Sequence, residues 1–175
     1  MPTSPPPVVT PLTDFARLYR EHSGDVHRFA LYLSGDPALA EDLASEAFVR
    51  VWTARERVEL TTVRAYLFAI VRNLFLQHLR RERRRAPLDE RIADDRPDPE
   101  ARAAGQSRLQ AVLESLHALP EADRAAVLMR ADGELSYEEI AAVLRTTVAA
   151  AKVKVHRARL KLAEALERRD PGGGT

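Results

Sequence analysis

Arginine dominates the chemistry this sequence could perform. Arg72, Arg80, Arg81, Arg83, Arg84 and Arg85 crowd a stretch whose only acid is Glu82. Guanidinium groups at that density neutralise phosphates, and a helix carrying them can follow a polyanion backbone. A second cationic focus lies near the C-terminal end, where Lys152, Lys154, His156 and Arg157 gather around Ala149, Ala150 and Val153. Lysine and arginine there can reach phosphates or guanine acceptors, while small and methyl-bearing side chains permit close approach to base edges and thymine methyls. Taken alone, either cluster is equally well a solvated helix face.

Other chemistry is scarce. The chain has no cysteine, which excludes disulfides, thiolate nucleophiles and Cys-based metal sites. His22, His27, His78, His117 and His156 are dispersed, and neither a glycine-rich phosphate loop nor a nucleophile–base set is present. Asp42 and Glu46 share a helical face but have no His or third acid to complete a metal site. The expectation is therefore a protein that is not an enzyme and needs no cofactor or metal. No apolar run is long enough to span a bilayer, and the Pro-rich start lacks the regions of a signal peptide, so a cytoplasmic protein without membrane insertion is expected.

The formal net charge of +1 over 175 residues conceals segregation. Residues 10–86 carry net +3 and residues 146–169 net +5, whereas 87–108 and 109–145 carry −2 and −4. Screening limits distant charges to a weak influence beyond ~8–10 Å, so separate basic surfaces can bind polyanions despite a near-neutral total.

The elements that must position these residues are helical. Phe15, Leu18 and Tyr19 predict a first short helix, and Val26, Phe29, Ala30 and Leu33 a second that stops at Gly35. Asp36 and Pro37 begin a third, running to about Ala54. Thr62 caps a fourth that carries Val63, Leu67, Ile70 and Leu74 and ends before Pro87. Proline-rich, acidic sequence then predicts a flexible linker, from about 87 to 105. Beyond it, a helix from Asp98 and Pro99 runs through Leu116, Pro120 opens another that Gly133 closes, and Ser136 with Glu139 forms a capping box ahead of a helix through Leu144. Three residues later a long amphipathic helix begins at Val148, its inner stripe Val148, Ala151, Val155, Ala158, Leu162 and Leu166. That last pair has the dimensions of a helix-turn-helix. The fold class expected is all-α, two small helical domains at 12–86 and 106–169, flanked by a disordered 1–11 and a tail at 170–175.

Asp14-Phe-Ala-Arg-Leu-Tyr19, Val26-His-Arg-Phe-Ala-Leu31, Gly35-Asp-Pro37, Ala40-Glu-Asp-Leu43, Ala47-Phe-Val-Arg-Val-Trp52 and Tyr66-Leu-Phe-Ala-Ile-Val-Arg-Asn73 resemble region 2 of a bacterial RNA polymerase sigma factor of the extracytoplasmic-function (ECF) group. Leu119-Pro120, Leu135-Ser-Tyr-Glu-Glu-Ile-Ala141 and Lys152 with His156-Arg-Ala-Arg159 resemble region 4. The resemblance implies binding to core RNA polymerase, recognition and melting of promoter DNA, and restraint by an anti-sigma factor. It implies polymerase contacts at Glu41, Asp42 and Glu46, and −10 contacts at Arg55, Arg57, Arg64, Arg72, Asn73, Arg80 and Arg81. It implies −35 contacts at Thr147, Ala150, Lys152, Val153, Lys154, His156 and Arg157. The alternative is a helix-turn-helix regulator that acts on duplex DNA without polymerase. Three departures from the family pattern stand out: Ser45 for the usual Gln, Arg145 for the turn Gly, and Ala149-Ala-Ala-Lys-Val-Lys154 for the usual Gly-Thr-Val-Lys-Ser-Arg. Arginine at a turn position suited to positive φ costs ~1 kcal/mol or more.

Overall fold

The computed structural model describes residues 12–53, 62–86 and 108–168. The expected disordered start, the whole linker at 87–105, the tail, Arg55 and Arg57 lie outside the described residues. Within them are seven helices: α1 Leu12–Ser34, α2 Pro37–Thr53, α3 Val63–Arg85, α4 Arg108–His117, α5 Glu121–Ala131, α6 Tyr137–Leu144 and α7 Val148–Glu167. The chain is all-α, and the first three helices and the last four form its two halves.

The boundaries follow from local chemistry. Gly35 at φ +72° donates its amide to the Leu31 carbonyl at 2.8 Å and ends α1 in the left-handed conformation that glycine adopts without steric cost. Asp36 Oδ1 then accepts from the amides of Ala38 and Leu39 at 2.9 and 3.1 Å, starting α2. Thr62 caps α3 through the Ala65 amide, and the Ser136 and Glu139 capping box starts α6. One boundary differs from expectation. The two predicted short helices are one, α1, which continues through Gly24 because Phe15 and Leu18 pack on the same core as Val26, Phe29, Ala30 and Leu33.

Gly133 ends α5 as its position suggested, but for a different reason. Positive φ falls on the next residue, Glu134, at 54°. What Gly133 supplies is space, because an added Cβ would collide with Phe68 Cε2 and lie 2.9 Å from the Met129 carbonyl oxygen. Phe68 is itself stacked on Phe29, ring centroids 4.4 Å apart, so the middle of α3 is pressed between α1 and the end of α5.

The two halves therefore share a core. Buried residues run without a break from Val26, Phe29, Leu67 and Phe68 of the first half to Leu119, Met129, Leu135 and Ile140 of the second. Burial of this apolar surface, at roughly 25 cal/mol per Å², supplies the main driving force. Polar contacts border the seam: Arg72 makes a bidentate pair with Glu121 at 2.7 and 2.8 Å, and Arg28 reaches Asp132 at 3.2 Å. His117 lies against Gly35, where an added Cβ would stand 2.7 Å from its Nε2.

Candidate nucleic-acid interface

The α6–α7 unit is built around Arg145. Its φ and ψ of 54° and 50° are left-handed, its amide donates to Ala142 at 3.2 Å, and the Thr146 amide donates to Ala141 at 2.9 Å. Those two bonds make a Schellman termination, here without glycine. The turn thus takes the left-handed shape that favours glycine and carries the strain in an arginine. Thr147 then caps α7 by accepting from the Ala150 amide at 3.1 Å, a role its sequence position did not reveal.

Helix α7 is divided lengthwise. Ala151, Val155 and Ala158 are buried, while Ala149, Lys152, Val153, His156 and Arg157 are exposed. Val153, among these, is an apolar side chain left 52% accessible on the outer face. Two of the cations are anchored from within. Asp123, in the first turn of α5 and 2% exposed, accepts from Arg157 Nη2 at 3.1 Å and lies 3.7 Å from Lys154 Nζ. Lys152 Nζ stands 5.6 Å from the Tyr137 ring centre, whose other neighbour is the Arg130 guanidinium at 4.9 Å. The outer face is therefore a fixed cationic surface, held by an acid and an aromatic ring from neighbouring helices.

On α3 the arginines separate into two groups. Asn73, Arg80 and Arg81 are exposed. Arg64 and Arg72 are engaged: Arg64 donates to Asp25 Oδ2 at 2.7 Å and to the Gly133 carbonyl at 3.1 Å, and Arg72 holds Glu121. Phe68 and Phe75 are buried and Tyr66 is partly so, which makes them core residues. At the start of the helix, Thr62 Oγ1 donates to Glu139 Oε1 at 2.7 Å, while Glu139 Oε2 accepts the Ser136 amide at 2.8 Å. Burial pushes the Glu139 carboxyl up, but the hydrogen bonds from Ser136 and Thr62 together with the Arg64 charge bring it below the usual carboxylate value.

On α2 the carboxylates Glu41, Asp42 and Glu46 all face solvent, with Glu46 3.0 Å from Arg50 one turn on. Among the described residues no group of three or more His, Cys, Asp or Glu is placed to hold a metal ion. The partners Asp25, Glu121, Asp123 and Asp132 were not apparent from the sequence. Acids in the first turn of α5 fit its dipole, yet nothing local says which arginine they meet.

Residues 18–85 match the family model for sigma-70 region 2, and residues 109–162 match that for sigma-70 region 4. The chain is 31% identical over 140 residues to the ECF RNA polymerase sigma factor EcfG of Rhodopseudomonas palustris, covering 79% of this chain and 77% of that relative. It belongs to the sigma-70 family, in the ECF group. This sigma factor is also 37% identical over 155 residues to SigE of Mycolicibacterium smegmatis, covering 85% of this chain but 60% of that relative's length. Against SigM of Bacillus subtilis the identity is 29% over 147 residues, covering 83% and 90%. Among solved structures, the sigma factor RpoE in complex with the anti-sigma factor NepR from Bartonella quintana superposes with a TM-score of 0.72 at 28% identity, covering 89% of this chain and 98% of that one. CnrH in complex with the cytosolic domain of CnrY shares the fold, at a TM-score of 0.62 and 23% identity.

Proposed function

We propose that this sigma factor binds core RNA polymerase and directs it to promoters, with the work divided between its halves. Glu41, Asp42 and Glu46 on α2 offer carboxylates to a basic surface of the polymerase. Arg64, Arg72, Asn73, Arg80 and Arg81 on α3, with Arg55 and Arg57 from the preceding segment, follow the unwound −10 strand as phosphate contacts. The outer face of α7, with Thr147, Ala150, Lys152, Val153, Lys154, His156 and Arg157, enters the major groove of the −35 element. The protein performs no covalent chemistry of its own, works in the cytoplasm and is restrained by an anti-sigma factor. This divides the work between two halves, 12–86 and 106–169, joined in sequence by the acidic stretch 87–105.

The observation that carries this reading is the presence of region 2 and region 4, in that order, on one chain. A regulator acting on duplex DNA alone has use for α6 and α7 but none for α2 carboxylates or an arginine-lined α3. Purified chain added to core polymerase is expected to start transcription on duplex and pre-melted promoter templates. Reversing charge at Asp42→Lys and Glu46→Lys, both exposed, should weaken holoenzyme formation at least tenfold while leaving the helical signal and the melting temperature nearly unchanged. Failure of the native chain to bind core polymerase would sink the proposal.

A further inference from the structure

Asp123 is the one fully buried charged residue among those described, at 2% exposure. It stands in the first turn of α5, where an acid suits the helix dipole and would ordinarily face solvent. A carboxylate withdrawn from water is costly unless it is paired. Among the described residues its partners both come from α7: Arg157 Nη2 donates to Oδ1 at 3.1 Å, and Lys154 Nζ lies 3.7 Å from the same oxygen. Those two cations are three residues apart, which makes them neighbours on the helix surface.

The acid holds its two partners differently. Arg157 commits one donor of its fork and keeps 53% of its side chain exposed, whereas Lys154, only 25% exposed, is drawn down beside the carboxylate. Arg159, two residues further along, is exposed and has no partner among the described residues. A guanidinium fixed in direction can match the paired acceptors of a guanine, which need two donors at a set angle. A cation free to swing reaches whichever phosphate is nearest, and that contact carries no sequence information.

We propose that Asp123 is a positioning residue for base recognition: it sets the angle from which the open edge of Arg157 meets a base, and it keeps Lys154 from adding an unselective phosphate contact. The proposal rests on the reading of α7 as the −35 helix. Buried under its partners, Asp123 does not touch DNA and acts through Arg157. An arginine already held loses little freedom when a base takes its open edge, while an unheld one has first to be ordered. The acid also subtracts one charge from the surface, which lowers attraction to any duplex whatever its sequence. Both effects favour discrimination. A residue that merely stabilised the second half would, on removal, weaken all DNA contacts together, whereas loss of Asp123 exchanges selective for unselective binding.

Holoenzyme reconstituted with core polymerase is offered a duplex that is pre-melted downstream and carries a window of randomised base pairs upstream, and the bound DNA is sequenced. Native chain is compared with Asp123→Asn, Arg157→Ala and the double variant. Asp123→Asn keeps the side chain's size and strands no buried cation, since Lys154 and Arg157 both reach solvent. It should flatten, at least fivefold, the base preference at the positions whose preference Arg157→Ala also erases. In the double variant the loss there should equal that of Arg157→Ala alone. Full-length Asp123→Asn is expected to bind a mixed-sequence duplex at least twofold more tightly at low salt, with a log–log salt slope steeper by about 0.9 as Lys154 gains a phosphate. Independently of any variant, nitrogen NMR relaxation of arginine side chains in the native free chain should find Arg157 rigid and Arg159 mobile. Unchanged preference or weaker mixed-sequence binding in a folded Asp123→Asn chain, additive losses in the double variant, or an Arg157 as mobile as Arg159 would overturn the role of Asp123. Native holoenzyme that binds these templates with no preference anywhere in the window would instead overturn the reading of α7, and the positioning role with it.

Discussion

Arginine at position 145 shows how a single side chain can depart from a family pattern without changing the geometry that pattern serves. A non-glycine residue in the left-handed region suffers a clash between Cβ and its own backbone carbonyl, and Arg145 sits there at φ 54°, exposed, with the Schellman hydrogen bonds intact. The cost is met by the burial of Ile140, Ala141 and Val143 on one side of the turn and Ala151 and Val155 on the other. Arg145→Gly should therefore raise stability by about 1 kcal/mol, the relief of left-handed strain exceeding the added freedom of glycine in the unfolded chain. Thermal melts followed by circular dichroism are expected to shift upward by about 2–4 °C. No shift, or a downward one, would mean that the arginine side chain contributes something that glycine cannot replace. The sequence marked this position as anomalous because the turn residue was missing; whether the turn or the pattern would yield required the backbone.

At the scale of helices, what could be read beforehand was whatever is encoded within four residues. Asp36 ahead of Pro37, Thr62 ahead of Val63, and Ser136 paired with Glu139 all cap as their spacing implies, since donor and acceptor are near neighbours. Distant pairings were not legible: Arg72 and Glu121 are 49 residues apart, Arg64 and Gly133 69, Thr62 and Glu139 77, and Arg28 and Asp132 104. For the same reason the α3 cations looked alike in the sequence, although Arg80, Arg81, Arg83, Arg84 and Arg85 are exposed and Arg64 and Arg72 are engaged across the seam. The continuity of α1 was misread because His22-Ser-Gly-Asp25 has the composition of a break, whereas packing on both sides of it outweighs the helix cost of one glycine. That cost can be recovered. Gly24 has no positive φ, and a Cβ built on it meets nothing nearer than Arg28 Nη1 at 3.8 Å. Gly24→Ala should stabilise the protein by about 0.5–1 kcal/mol, read as a higher urea midpoint at unchanged slope. A lower midpoint would indicate that α1 must flex at this point.

For the whole molecule, the seam between the halves carries two imidazoles whose protonation opposes closure. His117, against Gly35, has its pKa lowered first by burial and then by the Arg124 charge, with the Tyr32 and Leu113 backbone acting the other way. His22, beside Arg64, is lowered by burial and by that guanidinium, with Glu21 and Asp25 opposing. Nδ1 of His22 and Nε2 of His117 are buried with no hydrogen-bond partner among the described residues, so neither site gains a new bond to offset a charge. Both groups titrate near the ordinary 6.5 once unfolded and lower in the fold. Between those values the unfolded chain binds more protons than the folded one, so stability is fully present above about pH 6.5 and declines as pH falls through the window below it. Glu139 adds a second loss at lower pH. Its folded value lies below the ordinary 4.5, so its contribution holds above that value and fades beneath it. The expected profile of melting temperature is a plateau from pH 8 to 7, a first decline below about 6.5, and a second below about 4.5. His117→Leu, which removes the titrating group and keeps the site apolar, should flatten the first decline and leave the second. A first decline equally steep in that variant and in His22→Gln would place the acid-sensitive groups elsewhere. If the first decline is accompanied by a growing distance between labels placed on Gln77→Cys and Ala163→Cys, both exposed in a chain without native cysteine, before helical signal is lost, acid opens the seam before it unfolds either half, as expected when the titrating groups lie between the halves rather than within one of them.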